Sequence, residues 1–398
     1  MSAVIPSHPP KAKRPFHVLV KPIGPLCNLD CEYCFYLDKQ LYYPEQRRFD
    51  MADSVLESHV RDYIASQPAS CQEVVFGWQG GEPTLRGVEF FERAVVLQKK
   101  YARPGMQVTN TLQTNGVLID EKWARFLKQH DFLVGVSLDG DEPLHDTYRK
   151  TRSGKGSHQA VIRGLKCLLA HQVEVNVLCV VQNNNGDHGA RVYRYLTSLG
   201  VQFLQFIPVV EAVPGKGVSH RSVGAKQFGR FMIEVFEAWR AHDIGRVFVS
   251  HFDNALGMTL GMPSSSCVHA PMCGDNIVLE HNGDVYSCDH FVYPQFKLGN
   301  VNRSDYPDLI ETPIQQQFSE RKPRGLQLHC AACPQRSLCH GACPAQRINA
   351  LGELDINAGH YLCQGYYAFF GHIRPYLQAM ANCLRHRLPA TAYQRFMA

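Results

Sequence analysis

The sequence predicts an α/β fold: a partial (β/α)6 barrel followed by a cysteine-rich domain that contains a β-hairpin. Three observations carry this expectation. Six apolar, β-branched runs recur, each closed by Gly, Pro, Asn or Asp, with amphipathic segments of helical length between them. That alternation is the pattern of βαβ units on a parallel sheet. No Gly-rich dinucleotide fingerprint accompanies the runs, which favours a barrel over a doubly wound sheet. Past about residue 245 the alternation stops, and eight cysteines fall between Cys267 and Cys363.

In chain order, the runs place strands at 18–23, 73–78, 107–113, 132–138, 174–181 and 203–210. Helices are expected at 87–101, 121–129, 160–171 and 190–199, where apolar residues recur at helical spacing. Further on, Ile277-Val278-Leu279-Glu280 and Val285-Tyr286-Ser287-Cys288 flank His281-Asn282-Gly283-Asp284, a hairpin turned at Asn-Gly. The expected divisions are a flexible leader at 1–15, the barrel at 16–250, the cysteine-rich domain at 251–380 and a tail at 381–398.

Composition narrows the class. Over 398 residues, 45% hydrophobic and 19% charged content is that of a soluble globular protein with ample core. A net charge of +5 without long like-charge runs gives no reason to expect nucleic acid or a membrane surface as partner. No apolar stretch is long enough to span a bilayer, and the N-terminus has no signal-peptide core, so a cytoplasmic location is expected. In a reducing compartment, 15 cysteines need a reason other than disulfides, and metal is the leading one.

Cys27-Asn28-Leu29-Asp30-Cys31-Glu32-Tyr33-Cys34 follows the first strand. Three thiolates are one fewer than a closed tetrahedral zinc site or a fully protein-bound iron–sulfur cube takes, so one metal corner stays open. The competing reading is a zinc knuckle or three ordinary loop thiols. At the end of the second strand, Gln79-Gly80-Gly81-Glu82-Pro83 offers backbone that a ligand can approach closely, beside a carboxylate able to hold an ammonium group. Gln113-Thr114-Asn115-Gly116 and Ser137-Leu138-Asp139-Gly140 end the third and fourth strands. Ser137 can donate to a ribose or carboxylate, and Arg149 can clamp a carboxylate in a planar fork. Exposed Ser and Arg in loops are as often simply solvated. Leu204 in the sixth strand either pads an adenine or belongs to the barrel core. The eight C-terminal cysteines divide into two sets of four, enough to close two 4Fe–4S clusters, with two structural zinc sites as the competitor. Only one CxxC pair, Cys330 and Cys333, occurs among them, which disfavours zinc.

Together, the triad, Gly-Gly-Glu-Pro and the cysteine-rich region resemble radical S-adenosylmethionine (SAM) enzymes with a SPASM domain. Phe35-Tyr36-Leu37 after the triad, Gln79 before Gly-Gly-Glu-Pro, Gln205-Phe206-Ile207-Pro208 and Cys288-Asp289 narrow the resemblance to anaerobic sulfatase-maturating enzymes, from about Phe16 to Met380. That resemblance implies oxidation of one Cys or Ser of an unfolded or nascent sulfatase polypeptide to Cα-formylglycine. It implies three 4Fe–4S clusters and SAM. The first cluster would be held by Cys27, Cys31 and Cys34, the second by Cys267, Cys273, Cys288 and Cys343, the third by Cys330, Cys333, Cys339 and Cys363. Cys71, Cys167, Cys179 and Cys383 remain as free thiols. SAM contacts are implied for Tyr33, Gln79, Gly81, Glu82, Ser137, Arg149 and Leu204. Tyr36 would position the peptide, and Asp289 would be the general base. The implied chemistry is hydrogen abstraction from the target Cβ by a 5′-deoxyadenosyl radical, with an electron donor such as flavodoxin or ferredoxin. A maturase that crosslinks another peptide is the alternative in the same superfamily. Only 26 residues precede Cys27, fewer than the N-terminal peptide-binding module such enzymes often carry. A zinc-stabilised binding protein without catalysis is the alternative of another class.

Overall fold

The computed structural model describes residues 11–397. Six parallel strands run in sequential order: β1 (His17–Lys21), β2 (Glu73–Trp78), β3 (Gln107–Thr114), β4 (Leu133–Ser137), β5 (Glu174–Val181) and β6 (Phe203–Pro208). The connecting helices cover the outer face; they include Val88–Tyr101, Glu121–Gln129, His158–Ala170 and Gly189–Ser198, as the periodicity predicts. A further helix, Asp53–Ser66, lies between β1 and β2.

The sheet stays open and is longer than six strands. Phe248–Val249 adds in parallel beside β6. At the other edge Asn276–Glu280 pairs in parallel with β1, Lys21 opposite Glu280, before turning at Gly283 into the antiparallel strands Asp284–Tyr286 and Lys297–Asn300. The expected hairpin therefore exists, but its first strand extends the barrel sheet instead of standing apart. This places Cys288 and Asp289 beside the end of β1.

Strand alternation sorts side chains between two faces. Val18, Val20, Val134, Val136, Val177 and Phe206 are buried under the helices. Lys21, Gln113 and Ser137 fall on the opposite side, lining the barrel interior. Gly135 leaves room there for the Gln113 side chain, whose carboxamide oxygen would lie 2.0 Å from a Cβ.

Residues 1–10 of the expected leader lie outside the described residues. Of the rest, Ala12 is buried and bonds to the Ser66 carbonyl, and Lys13 and Arg14 pair with Glu311 and Asp275. Beyond residue 380 the chain stays packed. Helix Cys363–Arg385 runs past that point, and Tyr393 accepts from Arg240 at 2.7 Å. Among the described residues no helix is long and apolar enough to cross a membrane.

Candidate active site

The triad loop leaves β1 and is stitched to the segment after β4. Asp30 and Glu32 amides bond to the Lys150 and Tyr148 carbonyls, and Arg152 Nε donates to the Cys27 carbonyl at 2.9 Å. The loop after β2 clamps the other side: the Gly81 amide donates to Gly24 O and the Glu82 amide to Leu26 O, both at 2.8 Å. A Cβ on Gly81 would lie 1.9 Å from Leu26 O, so only glycine permits this approach beside Cys27.

Glu82 is completely buried. Its Oε1 accepts from the Thr84 amide at 3.0 Å and from the Thr84 and Thr114 hydroxyls at 2.6 and 2.7 Å; its Oε2 accepts from the Asn115 amide at 2.7 Å. Burial outweighs these bonds and leaves the carboxyl above its ordinary pKa. Asn115 Nδ2 in turn donates to Asn28 Oδ1 at 2.7 Å and lies 3.7 Å from Cys27 Sγ. Glu82 thus fastens the β2 and β3 turns to the triad, and one lone-pair direction on Oε2 remains open.

Arg149 is also engaged. Its Nε and Nη2 meet the buried Asp139 carboxylate at 2.8 and 3.3 Å, and Asp139 also accepts from the Tyr33 hydroxyl and from the Val180 amide at 2.8 Å. Burial lowers the Arg149 pKa, but Asp139 outweighs it and the guanidinium stays charged. The Tyr33 ring lies 5.4 Å from that guanidinium. Ser137, on the interior side, accepts from Gln113 Nε2 at 3.1 Å. Leu204 requires a correction. It is the second residue of β6, 1% exposed, and shares a face with Phe206, whose ring packs on Phe231 of helix Ala225–His242. It belongs to the core beneath the helices, and the structure does not bring it to the mouth.

At the end of β1 stands a buried lysine that no motif announces. Lys21 Nζ lies 3.4 Å from Gln79 Oε1, 3.5 Å from Asp289 Oδ2 and 4.4 Å from the centroid of the Tyr36 ring. Burial pushes the Asp289 carboxyl up, but Lys21, with His290 and Lys39, outweighs it and holds it below the ordinary carboxylate value. Asp289 is therefore an ionised acceptor at neutral pH. Tyr36 is buried, with its hydroxyl donated to Glu280. Lys39 sits 3.5 Å from the centroid of the Tyr293 ring, and burial brings its pKa down to about 8.

The cysteines gather in three groups. Burial pushes Cys27 up to about 12, with Cys31 and Cys34 among the charges adding to it. Burial, then Asp289, Cys343 and Cys267, raise Cys288; burial raises Cys343 to about 12, with Cys267 and Cys273 nearby. Burial raises Cys339 to about 11, with Cys363, Cys330 and Cys333 as its thiol neighbours. Cys179 and Cys383 are buried in the core, apart from these groups. Thiols gathered by threes and fours beside Arg149 and Lys322 are donors that iron converts to thiolates with release of protons, so the residues present fit iron–sulfur clusters. Among the described residues no three Cys, His, Asp or Glu side chains converge on one ion.

An open parallel barrel with a three-thiol loop at its mouth, followed by two four-thiol groups, defines a radical SAM enzyme with an auxiliary iron–sulfur domain. The chain matches the radical SAM superfamily over residues 22–196 and an iron–sulfur cluster-binding domain over 267–334. It is 38% identical over 395 residues to a serine-type anaerobic sulfatase-maturating enzyme of Bacteroides thetaiotaomicron, covering 94% of this chain and 93% of that one. To a cysteine-type enzyme of Clostridium perfringens it is 35% identical over 375 residues, covering 93% and 100%. The solved structure of native anSMEcpe with bound AdoMet and Cp18Cys peptide superposes with a TM-score of 0.84 at 35% identity, covering 94% of this chain and 100% of that one. The chain belongs to the anaerobic sulfatase-maturating enzyme family, and it is a radical SAM enzyme of that type.

Proposed function

We propose that this enzyme oxidises a Cys or Ser side chain of a sulfatase polypeptide to Cα-formylglycine, using SAM and three 4Fe–4S clusters on the three cysteine groups. The observation that carries the reading is the convergence at the end of β1. There Lys21 joins Gln79 of the β2 loop to Asp289, next in chain to Cys288. The loop that clamps the triad turn and the residue next to Cys288 thus meet at one lysine.

When bound, SAM on a cluster held by Cys27, Cys31 and Cys34 would supply hydrogen-atom abstraction at the target Cβ, and clusters held by the C-terminal cysteines would supply an acceptor for the electron. The chain's residues do the rest. Arg149 and Tyr33, locked by Asp139, fix the outer wall of the triad loop, and Glu82 with Asn115 fixes the inner one. Gln79, Gly81 and Ser137 present polar groups or bare backbone to SAM. The open Oε2 direction of Glu82 can accept from its ammonium group. Tyr36, buried with its hydroxyl held by Glu280 and its ring against Lys21, stiffens from beneath the wall that positions the peptide. Asp289, kept ionised by Lys21, accepts the proton of the target hydroxyl or thiol; its position is set by Cys288, as a general base requires. A hydrogen atom, a proton and an electron leave in all, which converts the alcohol to the aldehyde. A thiol gives the thioaldehyde, which water hydrolyses to the aldehyde with release of hydrogen sulfide. Reducing equivalents come from a donor of the flavodoxin or ferredoxin class.

The family contains serine-type and cysteine-type members of similar identity to this chain, so the test uses both substrates. Anaerobically reconstituted protein with SAM and a sulfatase-type peptide, in Ser and Cys versions, should give the mass loss of aldehyde formation in at least one. A crosslinked product with no aldehyde would overturn the reading.

A further inference from the structure

Lys322 and Arg347 are the two buried cations of the cysteine-rich region, 0% and 1% exposed. Lys322, in helix Pro313–Arg324, donates to the carbonyls of Cys267 and Val268, both at 2.7 Å. Arg347 donates to the carbonyls of Lys322 at 2.9 Å, Arg321 and Ile356 at 3.2 Å, and Gly341 at 3.5 Å. Among the described residues, the polar partners of both are main-chain carbonyls only. A Cβ on Gly325 would lie 1.9 Å from Arg347 Nη1, so the backbone leaves room for the guanidinium.

Two charges held in this way, with no carboxylate, are costly to bury, and apolar side chains would fill the space at less cost. Their surroundings supply the missing partner. Arg347 lines one cavity with Cys330, Cys333, Cys339 and Cys363. The groups of opposite charge within reach of both cations are thiols. For Lys322 these are Cys273, Cys343 and Cys267, then Cys339; for Arg347 they are Cys273, Cys330, Cys343 and Cys339. Lys322 therefore faces mainly the group that adjoins Asp289, whereas Arg347 faces both. Phe291, Phe296 and Phe318 pack against Cys273 and Cys288, so little solvent screens these charges. Arg321 is only partly buried over the Phe296 ring.

We propose that Lys322 and Arg347 are the fixed counter-charges of the two auxiliary clusters, and that they set how readily each accepts an electron. The inference rests on the cluster assignment above. A cubane with four thiolates is an anion, and one-electron reduction adds a further negative charge. Net charge near the cluster tunes its potential, so a buried cation favours the reduced form. The electron released when the substrate is oxidised then passes to a 4Fe–4S cluster already biased to take it.

The test titrates the auxiliary clusters alone, in full-length protein carrying Cys27→Ala, Cys31→Ala and Cys34→Ala, following the reduced clusters by electron paramagnetic resonance. Adding Lys322→Met should lower one midpoint so that, at a fixed potential, the reduced fraction relative to oxidised falls about tenfold, a shift of about 59 mV for one electron. The second midpoint should move less, and Lys322→Arg should restore most of the loss. Arg347→Gln should shift both. If Lys322→Met fails to load iron, Lys322→Gln, which keeps a donor for a carbonyl, is read the same way. Full iron with unmoved potentials would overturn the proposal and leave Lys322 as a structural tether. A parent protein that binds well under about eight irons would instead overturn the cluster assignment.

Discussion

In the barrel mouth, buried charges meet their partners within the chain. Asp139 takes the Arg149 fork, the Tyr33 hydroxyl and the Val180 amide, and Glu82 takes four donors. The cysteine-rich region is built the other way. Lys322 and Arg347 meet only carbonyls, and burial raises the pKa values of Cys267, Cys273, Cys288, Cys339, Cys343 and Cys363 around them. The contrast separates two ways of building a cofactor site. The mouth is shaped before SAM arrives, whereas the auxiliary domain holds charges that only its clusters complete. Removing a protein partner should therefore damage the mouth, and removing iron should damage the C-terminal region.

The largest effect falls on the triad. Cys27→Ala with Cys31→Ala and Cys34→Ala should abolish SAM cleavage while iron falls from about 12 to about 8 per chain, since only this group has an open corner. Iron analysis and assay of 5′-deoxyadenosine check it; unchanged iron would remove the distinction between the regions. Next comes Arg149→Met, which strands a buried Asp139 and should cost about 3–5 kcal/mol of stability in denaturant unfolding of the iron-free protein. Adding Asp139→Asn should recover much of that loss, because the uncompensated charge is then gone. Iron removal should act elsewhere. If the clusters stabilise their domain as a ligand at a hundredfold excess over its dissociation constant does, about 2.7 kcal/mol is lost. Amides at 321–363 should then exchange about a hundredfold faster, with β2 to β5 unaffected. Smallest is Glu82→Gln, which turns a charge-assisted bond into a clash of donors, at about 1.5–3 kcal/mol. It should also lower occupancy of the triad cluster, because Glu82 reaches Cys27 through Asn115; SAM affinity falling with full occupancy would mean that Glu82 acts on SAM alone.

Strand and helix positions were legible because each rests on local periodicity. β2 and β5 fall on their expected residues. Spacing carries only the numbers of cysteines, three after β1 and eight in the C-terminal region; their division into ligand sets comes from the family resemblance. Leu204 misled because an apolar residue in a buried strand carries no mark of which face it occupies; Phe206, two residues on, shows that it is the helix side. The engagement of Arg149 with Asp139 and of Glu82 with Asn115 was hidden, since both depend on turns from different strands meeting at the mouth. Lys21 was hidden too. A single lysine ending a strand reads as solvated, and only the parallel pairing of Asn276–Glu280 with β1 brings Asp289 over it.

The account's central claim is a division of labour: the barrel mouth removes hydrogen, and the side of the site carrying Asp289 removes the proton. Asp289→Asn keeps the shape of the side chain but not the ionised acceptor, and loss of a positioned base costs about 10²–10⁴-fold. The decisive measurement supplies a peptide deuterated at the target Cβ to this variant with SAM, and follows both products by mass spectrometry. The account predicts deuterium in 5′-deoxyadenosine with formylglycine reduced by about that factor. Formylglycine at the wild-type rate, or no deuterium transfer, would contradict it.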